Sequence, residues 1–219
     1  MTGPRGLAVF DLDGTISRHD TFMPFVSRWL LRHPHRWPGT VRMLPTLLAC
    51  AAGRADRGAL KGQWLHVTLG GLPRRTIEEW ALSHVTRLLR GGVFPSALER
   101  IRWHRDAGHY LVLMSASVDC YVPEIGRRLG FDETICSPVR WNDDGTLDGR
   151  LAAPNCRDEE KVRQLQRLQQ RMQFGESWAY GNSRADLPHL RRVTHGVYVN
   201  GPTQALPADA PNIRRVRWQ

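Results

Sequence analysis

The sequence predicts an α/β fold: a parallel sheet flanked by helices and interrupted early by a helical insert. Three observations carry this expectation. Leu7–Phe10 is a short continuous apolar run ending in acidic residues and Gly14, the pattern of a strand buried on both faces and running into a loop. From Ser96 onward helical and strand patterns alternate, which requires crossover connections and hence parallel pairing. Between these regions, from Thr21 to about Arg90, long apolar faces carry Trp, Leu and Arg and are broken near Pro34, Pro38, Pro45, Gly53, Gly70, Gly71 and Gly91. The expected organisation is a core made of residues 1–20 and 91–219, with a helical insert over 21–90.

The later elements follow in order. A helix is expected over Ala97–Ala107, a strand over Tyr110–Met114, a helix over Val122–Leu129 and a strand over Glu133–Cys136. Asn142-Asp143-Asp144-Gly145 lies between short apolar stretches, so Pro138–Leu151 reads as a β-hairpin decorating the sheet edge. A helix from about Glu159 to Met172, a strand at Trp178–Tyr180, a short helix after Ser183 and a strand at Gly196–Val199 complete the alternation. A last apolar patch falls at Val216–Trp218. The sequence holds no internal repeat and no low-complexity tract.

Composition narrows the class. The 219 residues are 41% hydrophobic and 24% charged, a globular balance that excludes a disordered tail or a polytopic membrane protein. Lys and Arg number 31 against 21 Asp and Glu, a net +10 that favours anionic partners: phosphates, nucleic acids or acidic lipid surfaces. Cys50, Cys120, Cys136 and Cys156 show no C-x-x-C spacing, which argues against a zinc knuckle or disulfide scaffold and fits a reducing cytosol. The N-terminus lacks the apolar stretch and small-residue cleavage site of an export signal. The longest nearly apolar run, Met43–Ala52, is ten residues and is interrupted by Pro45 and Thr46, half of the ~20 needed to span a bilayer. A cytoplasmic protein, at most peripheral at the inner membrane surface, is expected.

The chemistry is expected at the end of the first strand. Asp11 and Asp13 flank Leu12, and alternation along a strand points both carboxylates to one side, where two anions need a cation. A bare D-x-D is often an acidic turn. Here it stands in DLDGT directly after LAVF, and four specified residues match by chance in roughly one window in 10⁵. Thr15 either orders this loop or serves as a turn hydroxyl.

With this motif the chain resembles the aspartate-nucleophile motif of the haloacid-dehalogenase-like (HAD) phosphohydrolases. Three further motifs of that family can be matched in order: Ser115 after the apolar strand in LVLMSAS, Lys161 in NCRDEEKVRQL, and Asn182 with Asp186 in WAYGNSRADLPHL. The stretches SASVDCYVPEIGRRLGFD and DGTLDGRL are most similar to the phosphoserine-phosphatase-like branch. The resemblance implies a Rossmann-like core with an inserted helical cap, and a phosphatase passing through an aspartyl-phosphate. It implies Asp11 as nucleophile, Asp13 as general acid and then base, and Ser115 and Lys161 as phosphate ligands. It also implies Mg²⁺ held by Asp11, the backbone carbonyl of Asp13 and the side chain at 182, with Asp186 orienting a metal-bound water or stabilising Lys161. Asn182 departs from the family's usual Asp and removes one negative charge, which should weaken metal affinity.

Lys161 also stands out on its own. Val162, Leu165, Leu168 and Met172 form one apolar arc at about 100° per residue, and Lys161 falls inside it, so a buried ammonium is expected that needs an anion. It lies in the first helical turn, where the macrodipole disfavours a cation; the plain alternative is a Lys snorkelling past the helix end. Ser115, taken alone, would read as a helix cap.

The insert carries much of the charge. From Thr21 to Ile77 nine basic residues (Arg28, Arg32, Arg36, Arg42, Arg54, Arg57, Lys61, Arg74, Arg75) face one acid, Asp56, a net +8 of the chain's +10. Phe22, Phe25, Trp29, Leu30, Leu31 and Trp37 interleave with those arginines, a pattern that favours anionic lipid headgroups; a solvated basic face is the plain alternative. The stretch from Asp20 to Arg54 also resembles the cap of the type C phosphatidylglycerophosphatases. Asp20 falls where phosphoserine phosphatases carry an acid that pairs with the substrate amine. Arg54 and Arg57 either hold a substrate anion or solvate a helix end. The expected substrate is a phosphorylated small molecule, such as phosphoserine or histidinol phosphate, or a phospholipid headgroup. Nucleic acid is not expected, since charge is the sole signal for it. The rival reading is a catalytically weak scaffold acting as a basic membrane-surface or anion-binding module.

Overall fold

A computed structural model describes residues 6–52, 57–202 and 209–219. Its centre is a six-stranded sheet in the order β3-β2-β1-β6-β7-β8. The strands are β1 (Gly6–Phe10), β2 (Tyr110–Val118), β3 (Glu133–Ser137), β6 (Glu176–Gly181), β7 (His195–Val199) and β8 (Ile213–Val216). All neighbours pair in parallel. The α/β expectation is therefore met, and β2 runs four residues beyond its predicted end. β1 is apolar throughout because both its faces are covered. Ala8 and Phe10 join a core that holds residues of the helices α1 (Phe22–Arg32), α4 (Arg57–Leu69), α5 (Arg74–Leu89), α6 (Pro95–Asp106) and α7 (Val122–Leu129). Leu7 and Val9 join a second core with Leu165 and Leu168 of α8 (Glu159–Arg171) and Leu190 of α9 (Leu187–Leu190).

The chain runs from β1 outward through β2 to β3, then returns to β6 on the other side of β1. That reversal leaves a crevice at the carboxyl ends of the central strands, where open α/β sheets bind ligands. The segment between β1 and α6 adds α2 (Trp37–Val41) and α3 (Leu44–Ala51), with a short 3₁₀ turn at Pro34–Arg36. Its two ends are stitched together: the Arg18 N–H donates to the Gly92 carbonyl at 2.8 Å and the Phe94 N–H to the Ile16 carbonyl at 2.9 Å. This pairing lets about seventy residues be inserted without disturbing the sheet.

One expectation is corrected. The hairpin forms from β4 (Val139–Trp141) and β5 (Leu147–Leu151), but as its own two-stranded sheet rather than an edge extension. It lies against α4 and the turn that follows. The Gly71 N–H donates to the Leu147 carbonyl, the Leu147 N–H to the Leu72 carbonyl, and the His66 ring contacts the Asp148 carbonyl at 2.9 Å. The turn after α4 offers unpaired backbone groups that β5 can satisfy, and no local signal in the hairpin sequence names that partner. No helix among the described residues is long and apolar enough to cross a membrane.

Candidate active site

The carboxyl ends of β1, β2 and β6 carry the residues that converge. Asp11 continues β1, its N–H donating to the Tyr180 carbonyl of β6 at 2.9 Å. The chain then tightens through Gly14, whose φ of +79° suits glycine, and a Cβ there would lie 2.0 Å from the Asn182 amide nitrogen. The Asn182 side chain is thus seated on the loop after β1. Across the crevice, Lys161 sits in the first turn of α8 and is 2% exposed. Asp158, just before that helix, holds a φ of +49° with a ψ of −120°, a sparsely populated conformation that costs a non-glycine residue about 1–3 kcal/mol. It still accepts the Lys161 N–H through its carbonyl.

The expected anion for Lys161 is double. Its Nζ donates to Asp11 Oδ1 at 2.6 Å and to Asp186 Oδ1 at 2.7 Å, and all three side chains are buried. The alternative of a snorkelling Lys is excluded by that burial. Burial opposes the Lys161 charge, but Asp11 and Asp186 together outweigh it and push the ammonium well above its ordinary range. Asp186 is pulled the other way: burial disfavours its charge, yet Lys161 and the hydroxyl of Ser183 hold it well below the usual carboxylate range. Asp11, also buried and close to Asp186 and Asp13, is raised despite Lys161. The ion triad is therefore asymmetric, with the nucleophile candidate the more weakly stabilised anion.

The oxygens of Asp186 are both engaged. Oδ1 takes Lys161, while Oδ2 accepts the Asn182 N–H at 3.2 Å, the Ser183 N–H at 3.0 Å and the Ser183 hydroxyl at 2.7 Å. It braces the turn that presents Asn182. Gly181 is required next to it, because a Cβ there would come 2.4 Å from the Asp186 Cβ. Thr15 donates to Asp11 Oδ2 at 3.1 Å, the loop-ordering arrangement.

Asp13 faces the same crevice from another side. Its Oδ1 accepts the Thr21 N–H at 2.7 Å and the Thr21 hydroxyl at 2.6 Å; its Oδ2 accepts the Ser117 hydroxyl at 2.7 Å. Together with Asp20, Lys61, Asn155, Arg157 and Asn182, these acids enclose a cavity of about 260 Å³. Asp20 also accepts the Met23 N–H at 2.7 Å, and burial raises its carboxyl. Ser115 is fully buried within β2, three residues before its end, with its Oγ accepting the Ser117 N–H at 3.0 Å. Ser115 is not among the residues enclosing the cavity, and Ser117 is. The side chain of Arg57 and the whole of Arg54 lie outside the described residues.

Sequence reasoning missed part of the wall. Ser117 could have been found, since it stands two residues after Ser115 on one strand and so on the same face. Lys61 was counted only as charge; its Nζ donates to the Ala116 carbonyl and to Asn155 Oδ1, and burial pushes it down to about 8 against the pull of Asp13 and Asp20. Asn155 and Arg157 carried no signal. A larger cavity of about 830 Å³ lies between α4 and β5, and Asn155 lines both. It holds none of the triad.

The oxygens of Asp11, the Asp13 main chain and Asn182 suit a hard divalent cation. No group of three or more His, Cys, Asp or Glu forms a metal cluster among the described residues. That absence is compatible with Mg²⁺, which commonly takes one or two carboxylates and keeps its waters.

The family model for haloacid dehalogenase-like hydrolases matches residues 8–191. Protein CicA of Caulobacter vibrioides is 34% identical over 199 residues, covering 87% of this chain and 86% of CicA. A histidinol-phosphatase of Neisseria meningitidis is 24% identical, covering 90% of each. Among solved structures, a Bordetella pertussis protein of unknown function superposes with a TM-score of 0.79 at 22% identity, covering 92% of each chain. A phospho-aspartyl intermediate analogue of phosphoserine phosphatase gives 0.66 at 16% identity, covering 96% of this chain and 92% of that one. The chain belongs to the haloacid dehalogenase-like hydrolases, and its neighbours in that family include phosphatases.

Proposed function

We propose that the protein is a Mg²⁺-dependent phosphomonoester hydrolase acting through an aspartyl-phosphate at Asp11. One observation carries this reading: a buried Lys161 bonded at once to Asp11 and Asp186, facing the same small cavity as Asp13. Bound Mg²⁺ would be held by Asp11, the Asp13 carbonyl and Asn182, and supplies charge neutralisation for an anionic substrate. Asp186 serves it indirectly, by bracing the Asn182 turn and Lys161.

The steps balance. A carboxylate oxygen of Asp11 forms a bond to phosphorus as the ester P–O bond breaks, and Asp13 donates a proton to the leaving alkoxide. Lys161 and the cavity wall at Ala116–Ser117 stabilise charge on the phosphoryl oxygens, with Ser115 behind that wall holding the Ser117 N–H. Asp13 then takes a proton from a water molecule as the water oxygen bonds to phosphorus, and the acyl-phosphate bond breaks to return the Asp11 carboxylate and inorganic phosphate. The bond from Thr21, at the start of the helical insert, to Asp13 couples the acid–base residue to the 21–90 segment, which acts as the cap.

For the substrate, we take a small phosphate ester bearing an amine as the leading class, with Asp20 as its partner. Support comes from the place of Asp20 on the cavity wall and from the histidinol-phosphatase relative. Arg57 is retained as a substrate-anion ligand, and a phospholipid headgroup stays in the class. Asn182 favours a second reading, a catalytically weak anion-binding scaffold, because the amide brings no charge to the metal. The protein would act in the cytoplasm. Phosphate release from phosphoserine, histidinol phosphate and phosphatidylglycerophosphate, with Mg²⁺ and with EDTA, tests the proposal. Release should require Mg²⁺ and vanish in Asp11→Asn with an unchanged circular dichroism spectrum. Near wild-type turnover in that variant overturns the nucleophile assignment, and no release across the panel favours the scaffold.

A further inference from the structure

We propose that helices α2 and α3 form a docking face for an anionic bilayer surface, an interaction that does not rest on the catalytic reading. Trp37, Val41, Leu44 and Leu48 are 50%, 71%, 55% and 62% exposed. Their spacing of four, three and four residues places them within one stripe of a helical surface. The turn at Arg42 and Met43 keeps right-handed helical dihedrals, so the stripe runs across both helices. Leu31, at the end of α1, is 69% exposed and extends the apolar surface.

The opposite side of the same helices is anchored. Met43 is 1% exposed, and Gly39 sits so close to α4 that a Cβ would stand 3.1 Å from Val67. Just before α2, the Arg36 guanidinium donates to the Gly70 carbonyl at 3.0 Å. The apolar stripe is therefore held outward by a fixed inner face. Contiguous exposed apolar side chains of this kind mark an interaction surface.

Charge selects the partner. From Thr21 to Ala55 the sequence has five arginines and no carboxylate. Arg28, Arg32 and Arg42 are exposed in this segment. A protein partner would have to bring a matching acidic rim, whereas an acidic leaflet supplies negative headgroups around an apolar interior. An exposed apolar stripe that opens on a tryptophan, carried by a segment whose acidic and basic side chains, histidines aside, are all arginine, matches that layering.

The test uses the full chain in co-sedimentation with vesicles of phosphatidylcholine alone and of phosphatidylcholine with phosphatidylglycerol at roughly 7:3. Binding is expected only to the acidic vesicles and should fall at least ~10-fold as salt rises from about 0.1 to 0.5 M. The triple variant Val41→Ser, Leu44→Ser, Leu48→Ser should lose on the order of 30-fold or more in partitioning. Arg32→Glu with Arg42→Glu provides a second variant that leaves the apolar stripe intact and should also release the protein. Circular dichroism confirms folding of each. Equal binding to neutral vesicles, no binding to acidic ones, or undiminished binding by both variants overturns the proposal. So does a dimer in analytical ultracentrifugation that the triple variant dissolves, since a second copy would then be the occupant.

Discussion

Replacing Lys161 by Met keeps the length and apolar stem of the side chain but removes the one cation between Asp11 and Asp186. The lysine bonds these carboxylates at 2.6 and 2.7 Å, and their side chains are 9% and 3% exposed. Each ion pair at such a distance amounts to about 6 kcal/mol at an effective dielectric of 20, while the desolvation of all three charges opposes the gain. Breaking a buried pair by deleting one partner leaves an uncompensated charge and costs ~3–5 kcal/mol. In a chain of 219 residues this lowers Tm by about 6–20 °C. Urea unfolding at pH 7 measures it directly. The double variant Lys161→Met, Asp11→Asn removes one of the stranded anions and should recover ~1–3 kcal/mol relative to the single variant. The deficit should also shrink as pH falls, because a buried carboxyl without its cation takes up a proton more readily when folded than when unfolded. A single variant within ~1 kcal/mol of the parent, or a double variant no better than the single, would refute the triad as the structure draws it.

Three further outcomes follow from the same geometry. Burial pushes His84 down to about 4 and His104 and His189 to about 3, so all three fold neutral. The unfolded chain then binds more protons below pH ~6.5, and stability should fall as pH drops, by up to ~4 kcal/mol per pH unit for the three together. Urea titrations at pH 7, 6 and 5.5 check this, and a flat profile contradicts it. Gly14→Ala should cost ~1–3 kcal/mol, since the residue needs φ of +79° and its Cβ would strike the Asn182 amide; thermal melts should show the loss together with a weaker Mg²⁺ response. Asn182→Asp restores a charge at the proposed metal site and should lower the Mg²⁺ concentration for half-maximal phosphate release by about 10-fold, which a metal titration reads.

Some of this was legible in one dimension. The apolar run Leu7–Phe10 and the D-x-D after it announced a buried strand ending in acids, because strand alternation is a local property. The helical arc through Val162, Leu165 and Leu168 showed that Lys161 points inward, and so that an anion must meet it. The β2–α7–β3 alternation gave the parallel sheet, since parallel strands need crossovers. The hairpin turn at Asn142–Gly145 was equally readable, being fixed by a few adjacent residues.

What meets what was settled only by folding. Nothing local tells Lys161 that its partners are 150 positions upstream and 25 downstream, and nothing in β5 names the turn after α4 as its neighbour. Lys61 reached the Asp13 cavity because α4 packs against α1 and β5, and the exposed stripe on α2 and α3 stayed outside because nothing in the described chain covers it. A residue's type and periodicity set whether it faces inward, which is an energy of transfer. The identity of its neighbour depends on how distant elements share one core, and that is a property of the whole packing.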